Sequence, residues 1–220
     1  MVRIRPYWKY FSMGGVFMKK SLKRVGICML ITAFFWYATV LADRNQLNET
    51  LIRLHVVANS DSPEDQKIKL QVRDAVTASL KKELANVADV EKAKAYLQDN
   101  LPKIRQIANE TLEAAGFHGE AVVSLCQEAF DTRYYDTFTL PAGIYEALRI
   151  TIGAGEGQNW WCVVFPALCV PETTEAFADT AAGAGFSDSL NGTLTGAPQY
   201  ELRFFLLDAL GRLENMLWEG

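Results

Sequence analysis

The segment that most constrains the fold of this chain runs from Gly153 to Val170 and reads GAGEGQNWWCVVFPALCV. Its glycines allow backbone angles that are closed to other residues, so they predict a tight connection. An apolar alternation from Ile144 to Ile152 precedes the glycines, and the run Trp160 to Phe165 follows them. Because β-branched and aromatic residues flank a glycine turn, the segment predicts a β-hairpin with a longer loop.

Glycine-rich loops also bind nucleotide phosphates, but such loops need a strand before them and a helix directly after them. Here the loop runs into WWCVVFP, which is β-branched and aromatic and ends in proline. The chain also has no HExxH, paired CxxC or GxSxG motif, so the local signatures of zinc and serine hydrolases are missing. We therefore predict no cofactor, no metal and no catalytic residue.

The apolar segment Val25 to Ala42 contains no charged residue and follows a basic stretch that begins at Lys19. This is the pattern of a signal peptide, and the residues up to Ala42 suit a signal peptidase. An uncharged run of about 18 residues also reaches the lower limit for spanning a bilayer. We predict that the chain is exported, with residues 18–42 acting as a signal peptide cleaved after Ala42 or as a retained anchor.

The first 17 residues do not suit a signal peptide, whose charged region begins almost at the initiator methionine. We interpret Met1 to Phe17 as a mis-called extension and Met18 as the true start. Removing Met1 to Ala42 takes away seven of the 22 basic residues and none of the 26 acidic ones, which leaves a net charge of −11. Nucleic acids and anionic lipid surfaces select basic proteins. We expect a protein partner, no nucleic acid, and membrane contact only through the N-terminal segment.

Half of the 220 residues are hydrophobic, which predicts one domain with a real core. We expect an α+β fold, with a small mixed or antiparallel sheet packed with about four helices. After a short linker at residues 43–50, the core at residues 51–171 opens with the strand Leu51 to Ala58. Ser62 then caps a helix that carries one apolar stripe. The stripe consists of Ile68, Val72, Val76, Leu80 and Leu84.

A second helical pattern opens near Asp89 and should break at Pro102, restart, and end at Gly116. The strand Ala121 to Glu128 and a loop from Tyr134 to Gly143 lead to the predicted hairpin.

Residues 172–220 show two different sequence patterns. Residues 172–199 are rich in small and polar side chains, and they predict a flexible surface insertion. Residues 200–220 predict a C-terminal amphipathic helix packed on the sheet. Its expected stripe comprises Leu202, Phe205, Leu206, Ala209, Leu210, Leu213 and Leu217.

The cysteines outside the leader are Cys126, Cys162 and Cys169. Outside the cytoplasm, a pair about seven residues apart around a proline can oxidise. We predict a disulfide between Cys162 and Cys169, with Cys126 as an odd buried thiol. The alternative is an extracytoplasmic cysteine hydrolase or thiol oxidoreductase, in which His55 activates Cys162. We interpret His55 as a hydrogen-bonded strand residue and His118 as a solvated loop residue.

The adjacent residues Trp160 and Trp161 lie on one predicted strand, so their side chains should point to opposite faces. One side chain should enter the core, and the other should face outward as a partner-binding anchor. The alternative is that both are covered, one by the helices on the sheet and one by the C-terminal helix.

Two segments resemble the stage II sporulation protein R family of endospore-forming bacteria. They are LIRLHVVANSDSPEDQKIKLQVRDAV from Leu51 to Val76, and LPAGIYEALRITIG with GQNWWCVVFPALC from Leu140 to Cys169. The resemblance implies a signalling ligand that is made in the forespore and secreted into the intermembrane space. It further implies that the ligand switches on a membrane-embedded, aspartic-type peptidase of the mother cell, which removes the pro-sequence of a sigma-E-type factor. The family supplies no catalytic residues, so none are assigned.

Overall fold

The computed structural model describes residues 11–85, 87, 89–166, 174–196 and 201–218. The chain divides into two compact units, residues 1–42 and 43–220. Helix α1 (Phe11–Thr50) begins in the first unit and ends in the second. Its segment Leu22–Thr50 is long and apolar enough to cross a membrane, a property that signal sequences share. This helix fits the predicted signal or anchor segment.

The stretch predicted as a linker, residues 43–50, is instead the last part of α1. Leu47 is buried there, and Asp43 accepts a hydrogen bond from Arg203 Nε at 2.6 Å. Burial raises the pKa of the Asp43 carboxyl, although the Arg203 guanidinium acts in the opposite direction. Residues 43–50 give only about two helical turns, too few for periodicity to reveal a helix.

Three helices follow the first strand and have the predicted boundaries within a few residues. They are α2 (Pro63–Leu84), α3 (Val90–Asp99) and α4 (Leu101–Ala114). Ser62 caps α2 by accepting a hydrogen bond from the backbone of Asp65. The predicted break falls at Asn100, and Pro102 lies in the first turn of α4. Gly116, with φ of 75°, follows α4 as predicted.

The strands form a four-stranded mixed sheet and a two-stranded sheet, which confirms the predicted α+β class. Their bounds are β1 (Ile52–Val57), β2 (Ala121–Phe130), β3 (Arg133–Tyr134), β4 (Thr139–Leu140), β5 (Gly143–Ile152) and β6 (Asn159–Phe165). The large sheet has the order β2-β5-β1-β6. Strand β5 runs parallel to β1, whereas β2 is antiparallel to β5 and β6 is antiparallel to β1. The small sheet, β3 with β4, lies where the sequence predicted a loop.

The predicted hairpin between β5 and β6 is wrong, because β1 lies between these two strands. Their connection instead passes over the end of β1, where the Gly157 N–H donates to the Ala58 carbonyl at 3.0 Å. Gly153 has φ of 56°, and a Cβ on Gly157 would overlap the Ser60 carbonyl. The local sequence pattern therefore located the tight turn. It could not show that β1, from far upstream in the chain, lies between β5 and β6.

The main apolar core lies between one face of the large sheet and helices α2, α3 and α4. On β1, the alternate residues Ile52, Leu54 and Val56 are fully buried in it. The predicted stripe of α2 faces the same core, with Ile68 at its margin. Its buried members are Val72, Val76, Leu80 and Leu84.

The stretch predicted as a flexible insertion differs from that expectation. It contains α5 (Thr174–Gly183) and α6 (Asp188–Leu194). Phe177, Leu190 and Leu194 are buried. Most residues of α5 and α6 are small, so the sequence shows no clear apolar stripe for these helices. Short helices that pack closely need few large side chains.

The C-terminal helix α7 (Glu201–Trp218) forms as predicted and contacts β5 and β2, but a different face is buried. Only Leu207 and Gly211 are fully buried in it. The contact is set by Gly211, because a Cβ there would overlap the Ala142 carbonyl. Members of the predicted stripe are more than half exposed, namely Leu202, Phe205, Leu213 and Leu217.

Candidate functional site

The sheet face opposite the main core carries buried polar side chains. Since Leu54 and Val56 point toward the helices, Arg53 and His55 on the same strand point the other way. Arg53 is fully buried and His55 is 5% exposed. Strand register places Trp161 of β6 directly across from His55. This second face is therefore polar and aromatic where the first face is aliphatic.

His55 is held from three sides. Its Nδ1 lies 3.0 Å from Glu128 Oε2, and its Nε2 lies 3.0 Å from Asn159 Oδ1. Its ring stacks on Trp161 with a centroid separation of 3.8 Å. The other oxygen of Glu128 accepts a hydrogen bond from Arg149 at 2.7 Å. We call these residues, His55, Glu128, Arg149, Asn159 and Trp161, the His55 cluster, and they come from all four strands of the large sheet.

The charges of the His55 cluster compensate one another. Burial opposes ionisation of Glu128, yet the hydrogen bonds and charges of His55 and Arg149 outweigh it and lower the pKa of that carboxyl. Two residues earlier on β2, burial and the negative charge of Glu128 raise the pKa of the Cys126 thiol. Glu128 is thus a fixed carboxylate acceptor, and Cys126 is a half-buried free thiol.

Arg53 lies on the same face as His55, among aromatic side chains. Its guanidinium lies 4.0 Å from the centroid of the Phe130 ring and 5.0 Å from that of Tyr145. It donates a hydrogen bond to the Tyr135 hydroxyl at 3.1 Å, while its Nε has no hydrogen-bond partner. Arginine keeps its charge when buried, and aromatic faces stabilise it. Sequence reasoning missed Arg53, although strand alternation places it on the same face as His55.

The cysteine-nucleophile alternative lacks the required geometry. Cys162 pairs with Leu54 across the strands and lies in the main core, 1% exposed, whereas His55 projects from the opposite face. Both ring nitrogens of His55 already face oxygen atoms, as expected of a hydrogen-bonded strand histidine. Cys169 lies outside the described residues, so its disulfide with Cys162 stays a prediction. His118 is exposed in its loop, as predicted.

The two tryptophans point to opposite faces of β6, as predicted. Trp160 pairs with Val56 and packs against the main core, whereas Trp161 pairs with His55. Both side chains are half-buried, so neither is fully internal or fully outward. An arginine guanidinium also lies over each indole ring. Arg73 lies 4.2 Å from the Trp160 ring centroid, and Arg133 lies 4.8 Å from that of Trp161.

A cavity adjoins each tryptophan. The cavity beside Trp160, about 580 Å³, is also lined by Lys67 and Lys69 of α2. The cavity beside Trp161, about 390 Å³, is lined by Arg133 and by residues of α7. Within the described ranges, no three His, Cys, Asp or Glu side chains are grouped as metal ligands would be. The site is thus a surface of aromatic and charged groups around β6.

Comparison with known proteins places this architecture in a family. The family model for stage II sporulation protein R (spore_II_R) matches residues 48–175, which include the whole large sheet and the His55 cluster. Stage II sporulation protein R of Bacillus subtilis (strain 168) is 42% identical over 118 residues, covering 54% of this chain and 53% of that protein. The chain thus matches about half the length of this relative. No solved structure matches the chain. Since the family model matches more than half of it, the chain belongs to the stage II sporulation protein R family of sporulation proteins.

Proposed function

We propose that the exported part of this chain is an intercompartmental signalling ligand in sporulation. It is secreted from the forespore into the intermembrane space by the apolar part of α1, residues 25–42. There it activates a membrane-embedded, aspartic-type peptidase of the mother cell, which removes the pro-sequence of a sigma-E-type factor. Membership in the family supports the sporulation role, and the apolar helix fits export.

The observation that carries the proposal is the way in which His55 is held. A general base needs a ring nitrogen that can reach a substrate proton. Here one nitrogen faces Glu128 and the other faces Asn159, each at 3.0 Å. The ring serves instead as a rigid support for Trp161. This arrangement favours a preformed recognition surface over a hydrolytic centre.

Half-buried aromatic side chains on a rigid strand suit recognition. Tryptophan and arginine are the residues most enriched among those that dominate binding energy at protein interfaces. Trp161 and Arg133 stack on each other and line one cavity, and four strands hold the surrounding His55 cluster in place. Little reorganisation is then needed on binding, which favours affinity.

The proposal is tested by deleting the gene in the organism that encodes it and following cleavage of the pro-sigma factor by immunoblot. Deletion should stop cleavage, and the full chain expressed in the forespore should restore it. The control is a variant that starts at Asp43 and stays in the forespore cytoplasm, which should not restore cleavage. Normal cleavage in the deletion strain, or rescue by the retained variant, would contradict the proposed function.

A further inference from the structure

Strand β6 is one edge of the large sheet, and its first half is accessible. Among the described residues, no strand pairs with its outer side. Asn159 is exposed, Trp160 and Trp161 are half-buried, and the residues from Cys162 to Phe165 are buried. An edge strand offers unpaired backbone groups to an additional strand. The accessible half of β6 is therefore a place where another extended chain can pair.

The cavities beside Trp160 and Trp161 flank this same half-strand from the two faces of the sheet. Successive side chains of a strand point to opposite faces. A chain added along β6 would therefore send one side chain toward the Trp160 cavity and the next toward the Trp161 cavity.

The two cavities are cationic in an acidic domain. Lys67 and Lys69 line the first, and Arg133 and Arg212 line the second, whereas Asp131 is the single carboxylate among the lining residues of both. Arg212 is paired with Asp208 at 2.8 Å. Lys69 is 4% exposed, and its ammonium donates to the Gln158 carbonyl at 2.9 Å. Lys67 and Arg133 are therefore the main cations open to a ligand. The domain after residue 42 carries a net charge of −11, so this local positive field is opposite in sign to the domain as a whole.

The other edge of the sheet has the opposite electrostatics. Strand β2 lies there, with Val122 62% exposed. A cavity of about 460 Å³ next to β2 is lined by Gln127 of that strand, one lysine and four glutamates. The glutamates are Glu49, Glu91, Glu146 and Glu214. Lys94 contacts Glu91 and Glu146, and Arg44 pairs with Glu214, so these carboxylates still outnumber their cationic partners. An acidic chain would therefore be favoured at β6 over that edge.

We propose that β6 binds an extended, acidic segment of the partner as an additional strand, with alternate side chains entering the two cavities. Main-chain hydrogen bonds to the edge supply affinity, and the cavities supply specificity. Carboxylates of the segment pair with Lys67 on one face and with Arg133 on the other. The inference rests on the proposed function, and it assigns the segment to the extracytoplasmic part of the mother-cell peptidase.

Site-specific photo-crosslinking tests this mode of binding. Gln158, exposed beside the start of β6, and, in a matched variant, Val122 on the other edge are replaced in turn by the photoreactive residue benzoylphenylalanine in sporulating cells. The crosslinked peptides are then identified by mass spectrometry. We expect position 158 to capture a segment of the peptidase rich in Asp and Glu, and position 122 to capture none. Capture from position 122 alone, or of a neutral or basic segment from position 158, would overturn the proposal.

Charge reversal provides the second measurement. The double variant Lys67→Glu with Arg133→Glu should lower the crosslink yield at position 158 by at least about tenfold, as loss of interface anchors does. Lys81→Glu with Lys92→Glu, at exposed lysines of α2 and α3, makes the matched double reversal and should leave the yield unchanged. An unchanged yield in the Lys67 and Arg133 variant would overturn strand addition. If cleavage of the pro-sigma factor requires the chain but position 158 gives no crosslink, the binding mode fails while the proposed function stands.

Discussion

The two faces of the large sheet are built from the same strands by different physical principles. The face toward α2, α3 and α4 buries aliphatic side chains such as Leu54 and Leu148. The other face holds Arg53, His55 and Glu128 among aromatic rings. The hydrophobic effect is non-directional, whereas buried polar groups need hydrogen-bond partners at defined positions. The first face therefore mainly stabilises the fold. The second face fixes one arrangement of surface groups that a partner can recognise.

The largest expected effect comes from the first face, which packs on α2, α3 and α4. Leu54→Ala removes a fully buried side chain from the main core and should lower the free energy of unfolding by about 3 kcal/mol. Chemical denaturation of the domain after residue 42 measures this loss. Val122→Ala, at a position 62% exposed, is the control and should change stability by less than about 0.5 kcal/mol. Equal losses for the two variants would mean that the main core is not where we place it.

A smaller loss should follow when α7 is pushed away from the second face. Gly211→Ala places a methyl group against the Ala142 carbonyl, and overpacking of this kind costs about 2 kcal/mol. Gly183→Ala is the matched control, since a Cβ at that helical glycine meets nothing within 4 Å. Thermal melts of both variants measure the difference. A stability for Gly211→Ala equal to that of the control would show that α7 does not pack closely on this face.

The smallest of these stability effects should come from the polar network itself. Glu128→Gln removes a charged acceptor of His55 and Arg149 and should cost about 1.5 kcal/mol at neutral pH. Urea denaturation measures the loss. Glu113→Gln on the exposed side of α4 is the control for the change of charge.

This loss should also depend on pH. The pKa of Glu128 is lower in the folded protein than in the unfolded chain, where it is about 4.3. The ionised carboxylate therefore stabilises the fold fully above the unfolded pKa. This stabilisation is lost as the pH falls through the folded pKa. The stability difference between wild type and Glu128→Gln should therefore shrink between about pH 5 and pH 3. A difference that stays constant over this range would argue against an ionised Glu128 in the folded protein.

Local patterns predicted the first face and its helices α2, α3 and α4 well. The apolar stripe of α2, its cap at Ser62 and the helix break before Pro102 depend on neighbours within a few residues. The opposite orientation of Trp160 and Trp161 followed from strand alternation alone. Each of these features reflects geometry that repeats every two to four residues, which a single sequence displays.

The second face depended on contacts between distant parts of the chain. The insertion of β1 between β5 and β6 brings His55 to Asn159 and Trp161, and no local pattern shows which strands become neighbours. The buried face of α7 could not be predicted from its sequence either, because apolar residues occur on several sides of that helix. The close approach at Gly211 decides which side packs on the sheet. Sequence reasoning thus identified Trp161 as a candidate but missed Arg53 and the cationic cavities.

The most direct test of the account compares signalling per folded molecule for variants of the two faces. Leu54→Ala and Trp161→Ala are introduced into the full chain in sporulating cells. Their folded amounts are measured by protease resistance, and cleavage of the pro-sigma factor is quantified. We predict that Leu54→Ala, although less stable, retains wild-type cleavage per folded molecule, whereas Trp161→Ala loses at least about tenfold, as expected of an interface anchor. Equal activity of folded Trp161→Ala and wild type would contradict recognition through the second face.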